Sequence, residues 1–185
     1  MVKTAAVMAG IRRIQKIKPS FSGPAGELRV ACEFLKRGYQ IAKPLVERER
    51  EEPDLVLMCP KRGRNLFIPI QVKTFQNGTR MGRTVRGPTK KKIEEDPFLS
   101  LAIYHVQSDV IWFFCGEKGL RDAYDKTQGS KAFENLDSEG EVSFNFSKGC
   151  NEKLDDWLTS NSKFDEQISS FCQRLENFNN LKGEL

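Results

Sequence analysis

The chain has 185 residues, of which 38% are hydrophobic and 30% charged, with a formal net charge of +5. That length makes about one domain, long enough to bury a core without disulfide or metal staples, and the composition excludes wholesale disorder. No stretch approaches the roughly 18 consecutive apolar residues of a membrane span, and the single histidine, His105, rules out a multi-histidine zinc site.

A Ser-His-Asp or Cys-His arrangement would have to use His105, and no nucleophile motif accompanies it; a partly buried strand or helix histidine is the expectation. Five cysteines, Cys32, Cys59, Cys115, Cys150 and Cys172, form no CxxC pair, as expected of a chain in a reducing cytoplasm. The N-terminal MVKTAAVMAGIRRIQKIKPS puts its apolar patch before its basic residues, the reverse of a secretory signal.

Taken in chain order, residues 1–24 form an N-terminal arm in which Ile11, Ile14 and Ile17 give only partial helical spacing, closed by a turn at Ser22-Gly23-Pro24. From Ala25 to about Arg37 the pattern is helical, with Leu28, Ala31, Cys32 and Leu35 as its apolar stripe and Gly38 as its stop. Residues 39–46 read as a strand with Pro44 at an edge or bulge. Residues 54–59 and 66–74 read as two buried strands joined into a hairpin by a basic turn from Pro60 to Asn65. Ile93 to Val106 fits helix or strand equally. Residues 110–115 read as a strand, Leu120–Tyr124 as part of a helix, and 141–147 as a half-exposed alternating strand. The tail from Glu152 to Leu181 is helical with a break near Ser160–Ser162, and its Trp157, Ile168, Phe171 and Phe178 suit either capping the sheet or pairing with a second chain.

The charge is segregated. Residues 1–93 carry 21 Lys and Arg against 7 Asp and Glu, residues 94–116 carry none against 4, and residues 117–185 carry 9 against 14. Concentrated cation is the usual footprint of a polyanion-binding protein. The densest stretch, Lys73 to Lys92, holds Arg80, Arg83, Arg86, Lys90, Lys91 and Lys92 and no acid, and its Gly, Thr and Asn content predicts an exposed loop. Such a loop brings cations to adjacent phosphates.

Three polar pieces interrupt this pattern in order: Glu27 on the first helix, Asp54 at the head of a strand, and Gln71-Val72-Lys73 at the end of the next. Residues two apart on a strand share a side, so Gln71 and Lys73 point together while Val72 points into the core. Pairing of the two strands then brings Asp54 near Gln71. Glu33, six residues beyond Glu27, falls on another side of the helix and is expected to be solvated. Magnesium needs oxygen ligands, and Asp54, the Gln71 amide oxygen, the Val72 carbonyl and Glu27 supply them. Lys73 would orient a water or steady the charge growing on a phosphate.

The arrangement resembles the PD-(D/E)xK nuclease superfamily, the restriction-endonuclease-like fold. Pro53-Asp54 matches the PD element, and Gln71-Val72-Lys73 matches (D/E)xK with Gln in place of the acid. Gly26-Glu27 followed by Val30, Phe34 and Gly38 is similar to the helix that carries the extra glutamate. The likeness covers residues 25–115 and is strongest to the Mrr-like, Holliday-junction-resolvase-like and intron-encoded homing endonuclease branch, where QxK also occurs. It implies an α/β fold, a mixed central sheet flanked by helices, with a nuclease-like domain over 25–150 and a helical C-terminal appendage over 151–185. It further implies a magnesium-dependent DNA endonuclease, with manganese as a substitute metal, acting on duplex or branched DNA as a homodimer or homotetramer. Gln71 removes one negative charge from the metal site, and Glu27 would restore it. Two alternatives stand beside this: a catalytically inactive nucleic-acid-binding module, which the glutamine favours, and an RNA-acting nuclease, for which Phe75 is the basic stretch's only aromatic.

Overall fold

The apolar runs on either side of the basic turn pair into the hairpin that their spacing implies, and that hairpin organises the rest. In the computed structural model, residues 19–44, 53–61, 64–76, 83–146 and 152–182 are described. The elements are α1 (Pro19–Lys36), β1 (Gln40–Ala42), β2 (Leu55–Lys61), β3 (Arg64–Phe75), β4 (Arg83–Thr89), α2 (Lys90–Glu95), β5 (Ser100–His105), β6 (Val110–Phe114), α3 (Gly116–Gln128), β7 (Glu141–Phe146), a 3₁₀ turn (Glu152–Trp157) and α4 (Phe164–Lys182).

The main sheet has the order β1-β2-β3-β5-β6. Only β3 and β5 run parallel, and the crossover that parallel neighbours require is made by β4 and α2. β4 and β7 form a second, antiparallel sheet. The fold is therefore α/β, a mixed central sheet flanked by helices, as expected.

Strand alternation sorts the core into two layers. Leu66, Ile68, Ile70, Ala102, Tyr104, Ile111 and Phe113 face α1 and α4, meeting Val30, Phe34, Phe164, Ile168, Phe171 and Leu175. Leu101, Ile103, Trp112 and Phe114 face the other way, meeting Val85, Ile93, Leu120, Val142 and Phe144 from β4, α2, α3 and β7. Every residue of β5 is buried, as expected of a parallel-paired strand covered on both sides. Burying each large apolar side chain contributes about 1.5–3 kcal/mol. Of the C-terminal aromatics left open between two roles, Phe171 packs with Ile168 against the sheet, and the side chain of Phe178 lies outside the described residues.

The structure corrects several expectations. Helix α1 starts at Pro19, so Pro24 lies inside it rather than in a turn before it; proline's fixed φ suits a helix, at the cost of one backbone hydrogen bond. The buried face of α1 carries Val30 and Phe34, while Leu28 and Leu35 of the expected stripe are 67% and 55% exposed. Gly26 decides this. A Cβ there would collide with the Thr74 side chain on β3, so only glycine lets this face of the helix meet the sheet. Glu33 is not solvated: it accepts from Arg29 at 3.0 Å and Arg37 at 3.3 Å, and Arg37 continues to Asp165 on α4. Burial would raise the Glu33 carboxyl, but the two guanidiniums outweigh it and hold it below the usual carboxylate range.

The basic turn is shorter than its residues suggested, because the ladder continues to Lys61 opposite Arg64. The first strand is likewise short, ending at Ala42 before Pro44. The ambiguous segment divides into α2 and β5, with Thr89 capping α2 through the Lys92 N–H at 3.3 Å. His105 is a buried strand residue, stacked on Phe75 with centroids 4.6 Å apart and its Nδ1 2.6 Å from Ser108 Oγ.

Candidate active site

The register of the hairpin sets the site. Leu55 pairs with Ile70, so Asp54, one residue before, meets the strand where Gln71 begins the polar end of β3. Its Oδ2 accepts the Val72 N–H at 2.6 Å. A strand residue's N–H and C=O leave on the same side, so the Val72 carbonyl faces the Asp54 side as well. Val72's side chain packs on the first core layer, and Gln71 and Lys73 point the opposite way, on the side of Phe75.

Glu27 reaches this place because the close packing of Gly26 on Thr74 sets its helix against the end of β3. Its Oε2 is 2.9 Å from the ammonium of Lys43, just past β1. Asp54 is half-buried, and burial raises its carboxyl above the usual range. The Val72 N–H opposes that, Glu27's charge adds to it, and Lys73 and Lys43 oppose it. Among the described residues, Glu27, Lys73 and Lys43 are thus the charges that bear on Asp54.

The Gln71 Oε1 is buried with no hydrogen-bond partner. A buried acceptor left unsatisfied costs about 1–3 kcal/mol. Among the described residues no group of three or more His, Cys, Asp or Glu side chains is placed to hold a metal. The donors here are two carboxylates, an amide oxygen and a backbone carbonyl. Oxygen donors of these kinds are those that magnesium and manganese prefer.

The basic stretch differs from expectation. Arg83 to Thr89 is a strand and Lys90 to Glu95 a helix, not an exposed loop. Gly87 makes this possible, since a Cβ there would lie 2.9 Å from Val142 and 3.0 Å from Leu101. Lys90 donates to the carbonyls of Glu134 at 2.9 Å and Leu136 at 3.1 Å, so its charge holds the segment after α3 rather than facing outward. Arg86 lies 3.5 Å from Glu141, and Lys91 lies 3.6 Å from Glu139. The Lys92 N–H is spent on the Thr89 cap. Arg80 falls outside the described residues, as does the side chain of Arg83.

Sequence reasoning missed Lys43. It belongs to no motif, and only its distance to Glu27 marks it. No helix among the described residues is long and apolar enough to cross a membrane.

No protein-family model matches this chain, and no curated protein matches it. Among solved structures, a bacterial homing endonuclease is similar over 56% of this chain and 69% of its own, at 18% identity and a TM-score of 0.41.

Proposed function

We propose that this chain is a divalent-metal-dependent nuclease that hydrolyses phosphodiester bonds in DNA. The observation that carries the reading is the Asp54 carboxylate held on the Val72 N–H, next along β3 to Gln71, whose side-chain oxygen is buried without a hydrogen-bond partner. Asp54, Gln71 Oε1, the Val72 carbonyl and Glu27 would hold magnesium, or manganese in its place. When bound, the ion supplies Lewis acidity toward a phosphoryl oxygen and brings a water's pKa into the nucleophilic range.

The chain's own residues do the rest. The apolar Ile70 and Val72 fix β3, so that Gln71 and Lys73 present their polar ends in one direction. Lys73, which bears on Asp54 electrostatically, orients the attacking water or steadies the charge growing on the phosphate. Arg80, Arg83 and Arg86 are the candidates for DNA backbone contact, together with Lys91 and Lys92 at the head of α2. Two copies of the chain would give the two sites that cutting both strands requires.

A second reading, a binding module without catalysis, is favoured by Gln71 standing where an acid would add charge. Nicking of supercoiled plasmid in magnesium or manganese separates the two. Wild type should nick, and Asp54→Ala or Lys73→Ala should slow it by about 10²–10³-fold, the usual cost of removing a group that stabilises developing charge. Equal, metal-independent nicking by all three proteins, or none by any, would refute the nuclease reading.

A further inference from the structure

We infer that the outward face of the β4–β7 ribbon reads base edges in the major groove of duplex DNA, with Arg86 and Asn145 as its specificity-determining side chains. This rests on the DNA nuclease reading above, and it narrows the role of Arg86 from backbone contact to base contact.

The ribbon's construction is the first ground. Val85, Val142, Phe144 and Phe146 pack inward on the second core layer, so the residues that alternate with them point outward. Of these, Thr84, Arg86 and Asn145 are exposed and Ser143 is half-buried. The register sets Thr84 beside Asn145 and Arg86 beside Ser143. All four side chains can hydrogen-bond base edges: an arginine fork suits guanine, an asparagine amide suits adenine, and the hydroxyls suit either. The major groove of B-DNA admits a two-stranded ribbon, and β4 and β7 are a sheet of two strands. Outward residues two apart on a strand are about 6.6 Å apart, which is about two base-pair steps. Strand β4 also falls inside the acid-free stretch from Lys73 to Lys92, whose charge draws a polyanion.

The partner of Arg86 separates base contact from phosphate contact. Its side chain is 77% exposed and lies 3.5 Å from Glu141, its diagonal neighbour across the ladder. A carboxylate beside a phosphate clamp repels the group the clamp should draw. Beside a base reader it steadies the guanidinium and leaves further N–H donors for a guanine. The cytosine paired with that guanine also offers an amino group that a carboxylate accepts. Position supports the same role. Gly87 approaches Leu101, the β5 partner of Gln71, and Phe146 packs on Phe75, two residues past Lys73, with centroids 4.7 Å apart. The ribbon therefore stands on the side of the main sheet toward which Gln71 and Lys73 point. A merely solvated sheet surface would also be polar, so the test must read sequence preference.

Selection from a randomised duplex DNA pool, without divalent metal so that no strand is cut, followed by sequencing of the retained duplexes, reads this directly. Wild type should enrich a motif that contains a guanine and an adenine. Arg86→Lys keeps the charge and loses the fork, and should weaken the guanine preference by about tenfold. Asn145→Ala should weaken the adenine preference by about as much. No motif from wild type, or a motif unchanged in either variant, overturns the inference. Equal competition by a mixed-sequence duplex RNA, whose major groove is too narrow for a ribbon, overturns it as well. Plasmid nicking in manganese keeps the two readings apart. Nicking that needs Asp54, with no motif enriched, removes the base reader and leaves the nuclease. A motif enriched by a protein that nicks no better than Asp54→Ala removes the nuclease and leaves the base reader. Both substituted positions are exposed, and thermal unfolding matching wild type shows that each variant is folded.

Discussion

The two ends of the main sheet are built to different ends. At β5 and β6 nearly every side chain is apolar and covered on both sides, and Phe113 meets Phe34 at 5.0 Å and Phe164 at 5.9 Å in edge-on contacts. At the end of the β2–β3 hairpin the sheet instead holds two carboxylates, two lysines and an amide oxygen with no partner. Both ends bury polar atoms without a hydrogen-bond partner, His105 Nε2 and Trp112 Nε1 at the first and Gln71 Oε1 at the second, so the contrast lies in the charged groups that the second end gathers. The second tolerates the mutual repulsion of Glu27 and Asp54, which the first has no counterpart for among the described residues.

That contrast can be broken at each end. Phe113→Ala should cost about 3–5 kcal/mol of unfolding free energy, read from urea denaturation, because the close-packed layer cannot collapse around the void. A loss under about 1 kcal/mol, well below that range, would mean the covered end is not the stabilising one.

Glu33→Gln should cost less, about 1–2 kcal/mol at neutral pH, since it weakens charged hydrogen bonds from Arg29 and Arg37. Its sign with pH is fixed. A carboxyl held below its unfolded pKa contributes stability above that unfolded value and loses it as pH falls through the folded one. Wild type and Glu33→Gln should therefore converge in stability on acidification, and parallel curves would contradict the pairing.

The smallest effect sharpens the contrast most. Gln71→Leu should leave stability unchanged or raise it by up to about 1 kcal/mol, because it removes an unsatisfied buried oxygen. The same substitution should abolish manganese binding. A clear loss of stability would show that the amide has a partner in the free protein.

Much of this was legible in the sequence. The hairpin follows from two apolar runs of strand length, and the shared direction of Gln71 and Lys73 follows from a period of two. Asp54 falls opposite them because it immediately precedes the paired stretch. What was not legible depends on contacts distant along the chain. The buried face of α1 is chosen by Gly26 against Thr74, although Leu28 and Leu35 offer an equally apolar stripe. The segment from Arg83 to Thr89 looks like a loop by its Gly, Pro and Thr, and becomes a strand only by pairing with β7, more than fifty residues on. The same pairing brings Arg86 and Lys91 to Glu141 and Glu139, so charge segregated along the chain is partly rejoined in space. Lys43 carried no signal at all.

A crystal grown with manganese, its anomalous scattering mapped, tests the central claim most directly. One strong peak in contact with the Asp54 carboxylate, Gln71 Oε1 and the Val72 carbonyl is the expected result. Manganese bound elsewhere, with Gln71 Oε1 still without a partner, would contradict it.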